Sequence, residues 1–98
     1  MSRPDVVLNE DLSRFEYEDE GHTAFLSFTR SGEVVTLVHT EVPEQLEGQG
    51  VGTSLVRAAL AYVRDNDLSV VPKCPFVVSY LRAHPEEATD LGLDPSEL

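Results

Sequence analysis

A glycine-rich turn between an apolar strand and a helix constrains this chain more than any other stretch. The segment Thr40–Ser54 carries glycines at alternate positions, directly ahead of a run with helical periodicity. Glycine lets backbone amides point into a loop and lets a bulky ligand approach the chain closely. The free N–H groups and the dipole at the start of the following helix favour an anion. The stretch therefore predicts a seat for a phosphate group.

The spacing of these glycines limits which phosphate ligand fits. Gly48, Gly50 and Gly52 have GxGxG spacing, and no Gly-Lys-Ser/Thr sequence follows them, which excludes an ATP-type P-loop. Dinucleotide-binding turns carry GxGxxG near the start of a doubly wound sheet, whereas this turn follows a series of strands. Two interpretations remain from the residues alone: a plain tight turn, and a pyrophosphate seat for coenzyme A.

Alternating and valine-rich segments precede the turn. Arg14–Glu18 and His22–Arg30 alternate apolar and polar residues, and Val34–Val42 is rich in valine and threonine. Ser31-Gly32 suits a hairpin connection between the second and third of these segments. They predict an antiparallel meander of three strands, with residues 6–9 as a fourth short strand or an extended arm.

The pattern changes to helical spacing after the glycines. Apolar residues recur every three or four positions from Val51 until Asp65, and the hydroxyls of Thr53 and Ser54 are expected to cap this helix. Leu68–Pro72 predicts a short strand that the crossover helix returns parallel to the strand before it. A second helix is expected from residue 76 to residue 84, with a proline in its first turn. We expect one α+β domain over residues 1–98, with residues 86–98 as a loosely packed acidic tail.

The composition limits which classes of partner the protein is expected to bind and which cellular compartment it is expected to occupy. Eighteen acidic residues against seven basic ones give a net charge of −11, and Lys73 is the single lysine. Such a surface repels nucleic acid and anionic membranes. The acidic excess is either an ordinary solvated surface or an adaptation to high salt, since it resembles the composition of proteins from halophilic archaea.

The absence of a long apolar run or a signal-peptide pattern predicts a cytoplasmic protein. One cysteine and three scattered histidines predict no disulfide and no metal site.

Several short motifs follow one another in a recognisable order. They are His39-Thr40-Glu41-Val42-Pro43, Gly48-Gln49-Gly50-Val51-Gly52, Val70-Val71-Pro72, Cys74-Pro75-Phe76, Tyr80 and His84-Pro85. Over roughly residues 6–91 this set resembles the small single-domain members of the GNAT family of N-acetyltransferases, in particular a short GNAT-like subfamily with a Cys-Pro-Phe motif. The resemblance implies a reduced GNAT fold: a meander of three to four strands, the glycine-rich turn, a helix, a parallel-paired strand and a C-terminal helix.

The resemblance also implies a coenzyme A site. Amides of the glycine turn would hold the pyrophosphate, and the pantetheine would lie in a V-shaped gap between the two parallel strands. The implied coenzyme A-binding residues are Val42, Gly48, Gln49, Gly50, Val51, Gly52 and Thr53. Glu47 stands where the family pattern has glutamine or arginine. An acid beside a pyrophosphate costs Coulomb energy, so we expect Glu47 to point outward.

Three side chains are implied as catalytic, and each has a structural alternative. Cys74, beside Lys73 and ahead of a helix start, suits a nucleophile for an acetyl thioester, or a small buried hydrophobe. His39 suits a general base that takes a proton from an amine, or a histidine satisfied within a strand. Tyr80 matches a family proton donor to the departing thiolate, or a core aromatic.

Three functions are therefore compatible with the sequence. The first is an acetyl-CoA-dependent N-acetyltransferase in which an amine attacks the thioester directly or after transfer of the acetyl group to Cys74. The acidic composition favours a cationic acceptor such as a polyamine or a lysine side chain, and we expect a monomer or a weak homodimer. The second function is a non-catalytic module that binds coenzyme A or acyl-CoA. The third is an interaction domain in which the glycines only form a turn.

Overall fold

Five strands form a single sheet in the order β1-β2-β3-β4-β5 in the computed structural model, which describes residues 5–98. The strands are β1 Val7–Asn9, β2 Arg14–Asp19, β3 His22–Ser31, β4 Val34–Glu41 and β5 Ser69–Pro72. The helices are α1 Val51–Asp65, α2 Pro75–Ala83 and α3 Pro85–Asp90, with short 3-10 helices at Glu44–Leu46 and Pro95–Glu97. None of the helices in the described part of the chain combines the length and the apolar character needed to cross a bilayer.

The predicted meander and parallel crossover are both confirmed. Neighbouring strands from β1 to β4 pair antiparallel, and residues 7–9 are the fourth strand of the meander. After the crossover through α1, strand β5 pairs parallel to β4, from Val34 opposite Ser69 to Leu37 opposite Pro72. Because β4 continues to Glu41 after that pairing ends, residues 38–41 have no strand beside them on the β5 side.

The core lies between one face of the sheet and the helices. Helix α1 contributes its apolar stripe, in agreement with the predicted helical spacing; the buried members are Val51, Leu55, Val56, Ala59, Leu60 and Val63. The sheet contributes Phe15, Tyr17, Ala24, Leu26, Phe28, Val35, Leu37 and Val70. Each fully buried aliphatic side chain stabilises the fold by about 1.5–3 kcal/mol relative to exposure. This packing holds the start of α1 against the end of β4.

A β-bulge interrupts the pairing of β3 with β4. Phe28 lies opposite Leu37 and Ser27 lies opposite His39, so Val38 is an extra residue without a partner across the strand pair. A bulge of this kind shifts the alternation of side chains by one position. As a result, Thr40 lies on the helix side of the sheet, opposite the buried Leu26.

The C-terminal segment differs from its sequence-based expectation. Residues 86–98 were expected to form a loose acidic tail, but Pro85–Asp90 is helix α3, and its Ala88 is fully buried. Pro85 ends α2 and also occupies the first turn of α3, where its missing N–H costs nothing. Leu91 and Leu93 pack against the core after the helix. The segment is therefore part of the packed domain.

Candidate functional site

A cavity of about 410 Å³ opens where β4 loses its parallel partner. Its walls come from the unpaired end of β4, the glycine turn, the first turn of α1 and one side chain of α2. The lining residues are Thr40, Val42, Leu46, Glu47, Gly48, Gly50, Val51, Gly52, Thr53 and Phe76. The cavity thus joins the splayed strand to the start of a helix.

The glycine turn presents an uncapped helix start to this cavity. Gly48 and Gly50 have φ angles of +79° and +75°, which residues other than glycine rarely adopt. Helix α1 begins directly after Gly50, without a side-chain cap or an acidic residue in its first turn. Thr53 and Ser54, predicted as caps, lie inside the helix, and Ser54 donates to the Gly50 carbonyl at 3.1 Å. The first N–H groups and the positive dipole end therefore favour an anion.

An aromatic ring from α2 covers the first turn of α1. A Cβ atom added at Gly52 would lie 2.6 Å from Cζ of Phe76, so glycine allows this close approach. The Phe76 side chain is 42% exposed and forms one wall of the cavity. The shape of the cavity beside the first turn of α1 therefore depends on this pair.

Cys74 lies behind the opposite wall. Its N–H and that of Lys73 both donate to the Leu37 carbonyl at 3.0 Å, directly after the last parallel pair. The residue is the N-cap of α2, and its thiol is almost completely buried. The Sγ atom lies 3.2 Å from Oγ1 of Thr40, whose side chain lines the cavity. The cavity is therefore lined both by the start of α1 and by Thr40, the residue that contacts Cys74.

The structure does not bring His39 to Cys74. The His39 ring lies on the open face of the sheet with a side-chain exposure of 61%, edge-on to Phe25 at 6.1 Å between ring centroids. Its Nε2 atom lies 3.8 Å from a carboxylate oxygen of Glu41 on the same face. The bulge at Val38 is the physical reason, because it places Thr40 on the helix side of the sheet. A catalytic role for His39 stays a prediction that requires an acceptor on the open face.

Tyr80 lies outside the residues that line the cavity. Its hydroxyl donates to a carboxylate oxygen of Glu87 at 2.6 Å and accepts from Nε of Arg57 at 3.3 Å. The two hydrogen bonds join α1, α2 and α3, and the ring stacks on His84 at 4.3 Å between centroids. Burial, followed by the hydrogen bond to Glu87, raises the pKa of Tyr80 above its ordinary value. The geometry supports a structural tyrosine, and the predicted role as proton donor gains no support from it.

Tyr80→Phe tests this structural role. Loss of the hydroxyl removes bonds to two charged partners and is expected to lower the free energy of unfolding by about 1–2 kcal/mol. Folding raises the pKa of Tyr80. The contribution of its hydroxyl to the free energy of unfolding is therefore fully present below the pKa of the unfolded chain, about 10, and is lost as pH rises through the pKa of the folded protein. Denaturant unfolding at several alkaline pH values should show that the free energy of unfolding declines less steeply with pH in Tyr80→Phe than in the wild type. Equal declines would contradict the assignment.

The predicted coenzyme A-binding residues line this cavity with one exception. Gln49 is absent from the lining, and its side-chain amide donates to the Gln45 carbonyl at 3.3 Å. Glu47 is exposed, as expected, yet it also lies on the rim. The sequence-based site did not include Thr40 or Phe76. Both belong to the short motifs that resemble the GNAT family, and this membership was the sequence signal that could have identified them.

Three comparisons with known proteins agree with this architecture. A family model described as GCN5-related N-acetyl-transferase matches residues 14–91. Protein NATD1 of Mus musculus and that of Homo sapiens are each 36% identical over 52 residues, which is 53% of this chain and 47% and 46% of those proteins. The chain spans about half the length of the curated relatives it matches.

The fold comparison extends along nearly all of the chain. The NMR solution structure of a GCN5-like protein from Staphylococcus aureus matches with a TM-score of 0.69 and 26% identity, over 93% of this chain and 89% of that one. The residues that the family model matches contain the strands from β2 to β5, the glycine turn and helix α1. This chain therefore belongs to the GCN5-related N-acetyltransferase family, abbreviated GNAT.

Proposed function

We propose that this chain is an acetyl-CoA-dependent N-acetyltransferase that acts on a primary amine. The observation that carries the proposal is a cavity lined both by the uncapped start of α1 and by Thr40, whose hydroxyl contacts the thiol of Cys74. Acetyl-CoA has a pyrophosphate toward one end and a thioester at the other. The uncapped helix start suits the pyrophosphate, and the Thr40–Cys74 pair suits the thioester.

Three features of the described residues support this co-substrate. Backbone N–H groups of the residues from Gly48 to Thr53 that line the cavity would hold the pyrophosphate, because no side chain caps the helix. The pantetheine amides would pair with backbone groups from residue 38 to Val42, as an added strand pairs with an exposed sheet edge. The acetyl group would then lie beside Thr40, close to Cys74.

Two routes for acetyl transfer follow from this placement. In the direct route the amine nitrogen attacks the thioester carbonyl carbon, a C–N bond forms, the C–S bond breaks, and coenzyme A leaves as a thiol with the proton that the amine gives up. In the two-step route the Cys74 thiolate attacks first, which gives an acetyl group on Sγ and free coenzyme A. The amine then attacks that acetyl carbon and regenerates Cys74.

The acceptor is expected to approach from the open face of the sheet. His39 and Glu41 lie there beside the unpaired end of β4, where a base is needed to take the amine proton. The net charge of −11 favours a cationic acceptor such as a polyamine or a lysine side chain. We also propose that the chain belongs to the GNAT-like subfamily with a Cys-Pro-Phe motif and acts as a monomer or a weak homodimer.

A non-catalytic coenzyme A or acyl-CoA binding module is the second candidate function. Among the described residues that line the cavity, Glu47 alone carries an ionisable side chain, and it lies at the rim. Cys74 is buried and His39 lies on the other face. Among the described residues, the cavity wall therefore has no base, and Glu47 is its one acid.

Binding and turnover separate the two candidates. Calorimetry is expected to show saturable binding of acetyl-CoA, and release of free thiol is expected when spermidine or a lysine peptide is added. A protein that binds acetyl-CoA but releases no thiol across a panel of primary amines would support the binding module. Absence of binding to both acetyl-CoA and coenzyme A would contradict both candidates.

A further inference from the structure

We infer that Thr40 is a positioning residue for Cys74: its hydroxyl holds Sγ behind the cavity wall and donates a hydrogen bond to the thiolate. This inference deepens the proposed function and rests on it, because Cys74 matters for acetyl transfer only if the thioester lies beside it. The Oγ1 and Sγ atoms are 3.2 Å apart, although the residues are separated by 34 positions in the chain. That distance is within the range for a hydrogen bond that involves sulfur.

The bulge in β4 is what directs Thr40 to the thiol. Regular alternation after the buried Leu37 would turn the side chain at position 39 toward the helices. The extra residue, Val38, shifts that alternation, so that Thr40 lies opposite the buried Leu26 and faces α2. Bulges commonly re-aim a side chain next to an active site. Here the re-aimed side chain is the hydroxyl that contacts Sγ.

Ionisation of the thiol defines the direction of this hydrogen bond. In the neutral pair either atom is able to donate, since both carry a proton. A thiolate has no proton, so the Thr40 hydroxyl must then donate to it. Hydrogen bonds to an ionised acceptor are stronger than those to a neutral one. Thr40 therefore favours the nucleophilic form of Cys74, which also stands at the N-cap of the nine-residue helix α2.

Alkylation of the only cysteine in the chain tests this role without coenzyme A. The rate of carboxamidomethylation by iodoacetamide is followed by intact mass across the pH range in wild type, Thr40→Val and Thr40→Ser. Thr40→Val replaces the hydroxyl with a methyl group of similar size, whereas Thr40→Ser keeps it. Thr36→Val is the matched control, because Thr36 lies on the same strand between the buried Val35 and Leu37 and faces the other side of the sheet.

A donated hydrogen bond predicts a specific change in these profiles. Thr40→Val should move the midpoint of the rate profile to higher pH by about half a unit to one unit, with the same plateau rate at high pH. Thr40→Ser should restore the wild-type midpoint, and Thr36→Val should leave it unchanged. A change of access alone would scale the rate equally at every pH. If Thr40→Val unfolds, Thr40→Ala removes the same hydroxyl and takes its place.

The outcomes separate this inference from the proposed function. Identical midpoints in wild type and Thr40→Val would overturn the role of Thr40, whether or not the protein transfers acetyl groups. A shifted midpoint in a protein that neither binds acetyl-CoA nor forms an acetyl adduct would leave the Thr40–Cys74 hydrogen bond standing and reject the proposed function. The thiolate absorbance in the ultraviolet gives a second measure of the same midpoint that does not depend on reagent access.

Discussion

Cys74→Ala is expected to abolish any acetyl adduct on the protein and to lower N-acetyltransferase turnover by about a hundredfold or more, if transfer passes through the thiol. The thiol lies next to the cavity wall, so its removal leaves the acetyl group without a nucleophile at that end. Intact mass after incubation with acetyl-CoA detects the adduct, and thiol release with an amine measures turnover. The substitution removes one sulfur atom from a buried site, so the fold should persist.

Cys74→Ser is the matched control, since it keeps the size and the hydrogen bond to Thr40 but replaces the thiol with a far weaker nucleophile. The two-step route predicts no adduct and strongly reduced turnover in both variants, with unchanged affinity for coenzyme A. Wild-type turnover in both variants would contradict the two-step route and leave direct attack by the amine. An adduct that persists in Cys74→Ala would mean that the acetyl group is on another residue.

Gly52→Val is expected to weaken binding of acetyl-CoA by about a hundredfold without unfolding the protein. A Cβ atom at this position meets the Phe76 ring at 2.6 Å, so the ring must move and the anion-binding end of the cavity changes shape. The new methyl groups also occupy the wall where the phosphates would approach. Stability should change little, because the ring is partly exposed and valine is a better helix former than glycine. Calorimetry measures the affinity, and thermal unfolding checks the fold.

Two further variants show whether the contact with the ring is responsible. Phe76→Ala combined with Gly52→Val should recover part of the lost affinity, because the ring no longer competes for the same space, and a double-mutant cycle measures that coupling. Ala61→Val adds the same branched side chain to α1, in the part of the helix beyond the residues that line the cavity, and should bind acetyl-CoA normally. Full affinity in Gly52→Val would place the ligand elsewhere on the molecule.

Local patterns were sufficient for most of the secondary structure. The alternation in β3 and the helical spacing in α1 report directly which side chains are buried, because each element repeats its pattern over ten or more residues. Helix α3 was not predicted, because it is too short to show such a repeat. Its six residues, PEEATD, are mostly polar, and Ala88 is its single buried residue. A helix that depends on one small contact carries too little pattern to be recognised.

The sequence predicted which backbone segments form the site, but it predicted only some of the side chains that lie there. Glycine spacing led to the turn, and six of the seven predicted ligand-binding residues line the cavity. The resemblance implied catalytic roles for both His39 and Cys74, and the structure places the Thr40 hydroxyl beside the Cys74 thiol. A bulge arises from the register between two strands, so neither strand reveals it alone.

The sequence by itself determined the meander, the glycine turn, the crossover helix and the parallel strand, because short-range periodicity and turn chemistry specify each of them. Only the tertiary structure decided which side chains meet at the site. Thr40 reaches Cys74, and the Phe76 ring packs on Gly52. Strand register and the packing of α2 against α1 set these contacts, and both depend on segments that lie far apart in the chain. The glycine turn thus specifies where a phosphate would bind, while the bulge in β4 determines what would lie beside the thioester.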